Sequence, residues 1–503
     1  MQINVLEYFL KTAERWPSKV AVADGQEEWS FEKLWRRAVA IARQISKRSG
    51  GANQPIAVYL PKTNEAIASF LGVLFSGNCY APLDVKAPIA RVHAILGHLE
   101  PSLVLTTRAL AAQLQNAGTD PADVIILDEV ADDEGPIPAQ WKQCVDTDPV
   151  YIIHTSGSTG NPKGVVVTHR GVIDYIDWAR DTFKIDEQCV IGNQAPLIFD
   201  NSTLDIYLCF SCGATLHLTP EELFLFPVRL LEYLAEKAIN FIFWVPSIMV
   251  AVADKKVLDR VEKLRLEKIL FAGEVMPAKH LNIWRARFPS ALFANLYGPT
   301  EITVDCTFYV VDRDFADDEP VPIGGACRNA DILILDEQNK ACQAAERGEL
   351  CVRGSSLAAG YWNQPTQTAA AFVQNPLNSH YPDLIYRTGD LVYRNERNEI
   401  IYVGRKDFQI KHMGYRIELG DIEHFALQVP GVRNSCVLYH LSKKEIVLVY
   451  EADSDIDPAI IRNELGRNLP KYMWPTIFRS RPELPRTSNG KIDRQRLMTE
   501  YGS

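Results

Sequence analysis

Apolar residues recur along this chain in two rhythms that alternate over its first three quarters. Short continuous apolar runs, PIAVYL (55–60), SLVLTT (102–107), DVIIL (123–127), INFIFWVP (239–246) and KILFAGE (268–274), have the length and content of buried strands. Between them lie stretches of helical character such as NEAIASFLGVLF (64–75). The alternation predicts α/β layers built on parallel sheets. The N-terminal MQINVLEYFLKTAERWPSKVAVA sets charges among its apolar positions, so it predicts an amphipathic helix running into a strand and not a signal sequence. From about Asp331 the pattern turns strand-rich, in ADILILD, GELCVRG, DLVYRN and EIIYVGR, with short turns between. After Gly404 a charged segment, GRKDFQIKHMGYRIELGDIE, leads into helix, strand and helix. The expected fold is α/β: a large N-terminal domain of layered α/β subdomains plus a β-rich subdomain, residues 1–406, followed by a small α+β C-terminal domain, residues 407–503.

Composition narrows the function classes. The 503 residues are 47% hydrophobic and 23% charged, as in a globular protein too long for one ordinary core. A net charge of −10 argues against a nucleic-acid partner, whose footprint is a basic patch or stripe. No uninterrupted apolar run has membrane-spanning length, so a soluble, cytoplasmic protein with no membrane partner is expected. No repeat or low-complexity linker interrupts the chain. The ten cysteines are scattered through apolar runs, which fits reduced core thiols better than a disulfide framework. Cys209 and Cys212 have metal-ligand spacing but lack a second cysteine or histidine pair, and core packing is the preferred reading.

The most informative segment is YIIHTSGSTGNPKGVVVTH, residues 151–169: an apolar strand, a loop dense in glycine and hydroxyl groups, then another apolar run. Gly157, Gly160 and Gly164 free the backbone to bend, while Thr155, Ser156, Ser158 and Thr159 offer hydroxyls and amides that can surround phosphate oxygens. Lys163 adds a cation. The segment is not the G-x-x-x-x-G-K-[ST] loop, since the spacing differs and no Ser or Thr follows the lysine. A structural loop without a ligand is the alternative for this segment alone.

This loop resembles the phosphate loop of the adenylate-forming superfamily, which includes amino-acid adenylation domains, acyl- and aryl-CoA ligases and luciferases. Further matches follow in the family's order over nearly the whole chain: FDNSTLD (199–205), FAGEVMP (271–277), NLYGPTE (295–301), GELCVRG with GYWN (348–363), YRTGD (386–390), GRKDFQIKHMGYRIELGDIE (404–423) and LPRTSNGKIDR (484–494). The resemblance implies that Tyr297 stacks on adenine, Asn295 meets its amino edge, Thr300 contacts the α-phosphate and Glu301 helps hold Mg²⁺. Magnesium takes oxygen ligands and bridges to substrate phosphates, which suits a carboxylate there. The resemblance also places Asp390 on the ribose hydroxyls, Arg405 near ribose and phosphates, and Tyr402 beside the nucleotide. Lys491 resembles the lysine that reaches from the small domain to bridge the substrate carboxylate and the α-phosphate, where preorganised cations offset the charge of the transition state. Asp407 matches a hinge about which the small domain is mobile between adenylate formation and thiol attack, with Gly404 and Gly414 able to absorb the backbone change. ATP and Mg²⁺ are the implied cofactors.

FDNSTLD is where the acyl substrate is read. By resemblance Asp200 pairs with the substrate's amino group, and a buried carboxylate does require such a partner. The remaining family pocket positions carry Asn201, Leu204, Phe243, Leu270, Ala272, Leu296, Val304 and Asp305. The mostly aliphatic wall with one aromatic resembles the pockets of free-standing prolyl-carrier-protein ligases, and departs from them at Asn201 and Asp305. Three readings stay open for Asp305: it points away, bonds a neighbour, or meets a second polar or cationic group on the substrate. The first two leave proline or another small or cyclic amino acid in front. The third favours a basic, hydroxylated or β-amino acid.

The chain ends shortly after Lys491 with no serine-bearing carrier segment, so the expected partner is a phosphopantetheinyl carrier protein acting in trans. Coenzyme A as acceptor and a D-alanyl-carrier-protein ligase are the enzymatic alternatives. A catalytically silent scaffold relative would have lost Lys163, Glu301, Asp390 or Lys491, and all four are present.

Overall fold

The computed structural model describes residues 2–49, 51–116, 119–132, 135–155, 162–441, 443–452, 456–486 and 492–501. Its apolar runs become strands of two large sheets, interior ones except for DVIIL, which forms an edge. One has the order Gly325–Ala326, Thr307–Val310, Leu292–Tyr297, Lys268–Phe271, Phe241–Trp244, Val190–Asn193, Thr215–Leu218, Val20–Ala23, Glu28–Ser30. The other runs Gly360–Tyr361, Lys163–Thr168, Pro149–Thr155, Cys79–Leu83, Pro55–Tyr59, Leu103–Thr106, Val124–Ile126.

The predicted parallel pairing holds in the middle of both sheets and gives way at their edges. Glu28–Ser30, Thr307–Val310 and Gly325–Ala326 pair antiparallel in the first sheet. In the second, Pro149–Thr155 pairs antiparallel with Lys163–Thr168. A parallel return needs a crossover of a dozen or more residues, and too few separate Thr155 from Lys163 to supply one. The glycine-hydroxyl segment therefore joins the two strands of a hairpin.

Helices fill the space around these sheets according to their patterning. Leu6–Arg15 buries Leu6, Tyr8 and Phe9 and turns its charges outward, as its amphipathic sequence predicts. Asn64–Phe75, apolar on nearly every side, is buried almost throughout. It shares one core with side chains of both large sheets, among them Val22, Leu216, Ile56 and Tyr151. Capping fixes where the helices begin: Ser30 accepts from the Lys33 amide at 3.1 Å, and Thr168 accepts from Gly171 at 3.2 Å. Cys209 lies in the core with its thiol on the Ala21 carbonyl, and Cys212 is partly buried at the end of the same helix.

The strand-rich region forms a five-stranded antiparallel sheet of Ala330–Leu335, Gly348–Gly354, Leu384–Arg394, Phe372–Gln374 and Ile400–Arg405. Beyond it come the hairpin Gln409–His412/Tyr415–Glu418 and a three-stranded sheet, Asn434–His440, Glu445–Glu451 and Ile477–Arg481. Helices Leu419–Ala426 and Pro458–Asn468 pack on this sheet around a separate core that includes Ile422, Leu448 and Leu465. Among the described residues no helix is long and apolar enough to cross a membrane.

The helices Phe31–Arg48 and Asn64–Phe75 meet at Gly72, where a Cβ would lie 2.8 Å from the Ile41 side chain and 3.0 Å from the Ala38 carbonyl. Gly72→Ala should destabilise the protein by about 1–3 kcal/mol, the usual range for overpacking, as a lower urea midpoint at unchanged m-value. An unchanged midpoint would show that the two helices separate freely.

Candidate functional site

The carboxyl ends of strands from both sheets, the strand-rich sheet and the Gln409–Glu418 hairpin converge on one cleft. It encloses about 110 Å³, less than the ~300–1,000 Å³ of a typical small-molecule pocket. Gln409, Lys411, Gly414 and Arg416 of the hairpin form part of its lining. Asp200 and Asn201 border the cleft at the start of helix Asn201–Cys212, facing Thr300, Asp390, Arg405 and Thr155.

Leu292–Tyr297 ends at Gly298, where the chain folds so tightly that a Cβ would sit 2.2 Å from the Val304 carbonyl oxygen. The turn Thr300–Ile302 follows, then Thr303 and Val304 at φ 55° and 72°. Left-handed backbone is unusual for β-branched residues and costs about 1–3 kcal/mol apiece. The Thr303 hydroxyl, donating to the Ser356 carbonyl at 2.7 Å, helps hold the segment in place. This turn aims Thr300 and Glu301 into the interior.

Glu301 is fully buried. Its Oε1 accepts from the Tyr361 hydroxyl and its Oε2 from Arg416 Nη1, both at 2.8 Å. Burial alone would push this carboxyl up, but the Arg416 guanidinium and these hydrogen bonds overrule it and hold it below the usual carboxylate range. Asp200 has no bonded cation among the described residues, only the more distant charge of Lys411. Burial pushes its carboxyl up to about 6, with the neighbouring Thr300 opposing the rise and the Glu301 charge adding to it.

On the opposite wall Asp390 accepts from the Tyr297 hydroxyl and, at 3.1 Å, from Arg405 Nη1. Arg405 also grips both oxygens of Asp407 at 2.6 and 2.7 Å. Tyr402 lies beside Tyr297, ring centroids 6.3 Å apart, and the Asn295 amide donates to the Pro322 carbonyl at 2.8 Å. Lys163 Nζ stands 5.5 Å from the Tyr361 ring, so the strand after the loop also points at this cluster. Thr155 Oγ1 is buried with no hydrogen-bond partner among the described residues. Ser156, Gly157, Ser158, Thr159, Gly160 and Lys491 lie outside the described residues.

The remaining pocket positions behave as a closed core. Leu204, Phe243, Leu270, Ala272, Leu296 and Val304 are buried together and do not border the cleft. Asp305 is buried with its Oδ2 accepting from the Tyr175 hydroxyl at 2.6 Å. Burial pushes this carboxyl up to about 7, with the Tyr175 bond opposing and Asp200 reinforcing the rise.

Sequence reasoning assigned no role to Tyr361, Lys411 or Arg416. In the structure Met413 and Gly414 adopt φ 53° and 82°, the paired positive values of a tight hairpin turn. Such a turn sets Lys411 directly opposite Arg416. Like charges facing each other across strands repel, and here buried anions offset the repulsion. Arg416 meets Glu301, while Lys411 lies 5.5 Å from the Tyr297 ring within the fields of Asp390 and Asp200. Burial pulls the Lys411 ammonium below its usual range against those two carboxylates. The hairpin is pinned further by the Gly414 amide on Glu274 at 2.9 Å and by Tyr415 edge-on to Phe199.

Fold and cleft together are those of an adenylate-forming enzyme, and the chain belongs to that superfamily: the profile of the AMP-binding enzyme family matches residues 9–362. The chain is 32% identical to the D-alanine–D-alanyl carrier protein ligase of Bacillus licheniformis over 99% of both proteins. It is 31% identical to the L-proline–[L-prolyl-carrier protein] ligase of Pseudomonas fluorescens over 97% of both. The structure superposes on the Vibrio cholerae adenylation domain AlmE, solved in complex with glycyl-adenosine-5'-phosphate, with a TM-score of 0.85 at 21% identity, covering 99% of this chain and 98% of that one.

Because Gly298 has no room for a side chain, Gly298→Ala should displace the turn that carries Thr300 and Glu301. The expected result is a stability loss of about 1–3 kcal/mol together with weakened ATP binding in calorimetry. Wild-type ATP affinity in a destabilised variant would show that the turn does not form part of the nucleotide site.

Proposed function

We propose that this protein activates an amino acid as its aminoacyl-AMP and then passes the aminoacyl group to the phosphopantetheine thiol of a separate carrier protein. In the first step a carboxylate oxygen of the amino acid attacks the α-phosphorus of ATP, and the bond to the β-phosphate bridging oxygen breaks to release pyrophosphate. In the second, the thiol sulfur attacks the acyl carbon, the thiol loses its proton, and AMP departs with the former carboxylate oxygen.

The observation that carries this reading is Asp200: a carboxylate buried at the edge of the cleft beside Thr300, reached by the charge of Lys411 but with no cation bonded to it among the described residues, where a substrate ammonium is the natural partner. Around it Thr155, the loop from Ser156 to Gly160, Thr300 and Lys163 would surround the phosphates. Asp390, Arg405, Tyr297 and Tyr402 would hold ribose and adenine. With its amide committed to Pro322, Asn295 keeps Oδ1 as an acceptor for the adenine amino group. Glu301 fits Mg²⁺ as an ionised oxygen donor, the ligand type that ion takes. Mg²⁺ bound there would supply charge neutralisation to the phosphates. Lys491 would bridge the reacting carboxylate and the α-phosphate, and the small domain, residues 407–503, would swing about Asp407.

The side chain recognised is compact and apolar, of the proline or alanine class. The bond from Tyr175 to Asp305 supports this, because it leaves that carboxylate satisfied without a second polar group on the substrate. The relatives named for D-alanine and L-proline point the same way.

The test is amino-acid-dependent pyrophosphate exchange across the common amino acids, D-alanine, ornithine, β-amino acids and hydroxyprolines, followed by identification of the thiol acylated. Proline or a small amino acid should dominate, a carrier protein should be acylated in preference to coenzyme A, and Lys491→Ala should nearly abolish exchange while melting as the wild type does. Exchange stimulated only by fatty or aryl acids would overturn the reading. The pH profile supplies a second check. Asp200 must be ionised to pair with the ammonium, so kcat/KM for the amino acid should fall about tenfold per pH unit below about 6. A profile flat down to pH 5 would show that Asp200 does not titrate in the free enzyme in this range.

A further inference from the structure

Glu301 joins two parts of the chain that the proposed mechanism moves past one another. It sits on the turn after Leu292–Tyr297, and its Oε2 is bonded by Arg416 from the hairpin beyond Asp407. The pair is enclosed, with the carboxylate side chain fully buried and the guanidinium four-fifths buried. An ionised carboxylate so placed needs a cation in every state that keeps it buried, because removing the partner leaves an uncompensated charge. Two different cations have a claim on it. Arg416 holds it in the structure, and the nucleotide reading above, on which this inference rests, gives it to Mg²⁺ during adenylate formation.

We propose that Arg416 is a positioning residue that takes over Glu301 from Mg²⁺ between the two half-reactions, so that the hairpin docks only once the metal has left. A guanidinium and a divalent ion cannot occupy one carboxylate oxygen without close like-charge contact. Pyrophosphate release makes the exchange timely: it removes the phosphate oxygens on which a singly carboxylate-bound Mg²⁺ depends, and Arg416 then neutralises the carboxylate. The same movement brings Lys411 to Tyr297 and seats the Gly414 amide on Glu274. Arg416 thereby couples the charge state of the cleft to the pose in which the thiol is accepted. Linkage makes the coupling reciprocal: whatever weakens the Arg416 contact must strengthen metal binding, and added metal must disfavour the docked hairpin.

The experiment uses the full chain with a non-hydrolysable ATP analogue and measures Mn²⁺ binding by electron paramagnetic resonance in wild type, Arg416→Gln, Arg416→Lys and Glu301→Gln, each first checked for wild-type melting. Arg416→Gln should bind Mn²⁺ about fivefold more tightly or better, within the usual range of linked sites. Arg416→Lys, which keeps the charge, should fall between the two, and it decides the matter if Arg416→Gln fails to fold. In single-turnover transfer from preformed aminoacyl-AMP to a phosphopantetheine thiol, excess Mg²⁺ should slow the wild type and a chelator should restore its rate. Arg416→Gln should transfer slowly and without metal sensitivity. Unchanged Mn²⁺ affinity in both Arg416 variants, or wild-type transfer indifferent to Mg²⁺, would overturn the proposal. Equal Mn²⁺ affinity in wild type and Glu301→Gln would instead remove the metal reading of Glu301, and the proposal with it. Because Mn²⁺ binding needs no turnover, it separates these outcomes from a failure to find the right amino acid.

Discussion

A buried carboxylate must be answered by a cation, and the architecture of this cleft follows from how that constraint is met at Glu301. The residue is fixed by a turn that only Gly298 permits and that Thr303 and Val304 hold in left-handed backbone. Tyr361 supplies one hydrogen bond from the short strand Gly360–Tyr361, which closes an edge of the second sheet. Arg416 supplies the charge from outside both large sheets. Removing one member of such a buried pair typically costs about 3–5 kcal/mol, because the charge left behind is uncompensated.

The other charged groups form a graded series around it. Among the described residues Asp390 is paired with Arg405 and Tyr297, Asp305 with Tyr175, and Asp200 with no bonded cation. Asp200 borders the cleft, which is the arrangement a site needs if its ligand is to bring a charge. Preorganised groups of this kind are already oriented before the reaction, and that is their advantage over water in stabilising charge on a phosphorus centre.

Much of this was legible in the chain itself. The runs PIAVYL, SLVLTT, DVIIL, INFIFWVP and KILFAGE are strands because their periodicity and length leave little alternative, and NEAIASFLGVLF is a buried helix for the same reason. Parallel pairing in the sheet interiors was legible from the alternation of strands and helices, but the antiparallel edges were not: the hairpin of Pro149–Thr155 with Lys163–Thr168 is decided by loop length. The motif residues Asp200, Thr300, Glu301, Asp390 and Arg405 meet in one cleft as their order along the chain suggested. Their protein partners were hidden. Tyr175 and Asp305 are separated by 130 residues, and Arg416 and Glu301 by 115. Local pattern constrains neither contact.

The central claim is that this cleft joins an amino acid to AMP, and the most direct measurement is to look for the joined species. Protein incubated with ATP labelled at the α-phosphate and a mixture of amino acids, then quenched in acid and resolved by mass spectrometry, should yield one aminoacyl-AMP with a compact side chain. That species should disappear when a phosphopantetheine thiol is added. Recovery of labelled AMP with no acyl adenylate from any amino acid would contradict the claim.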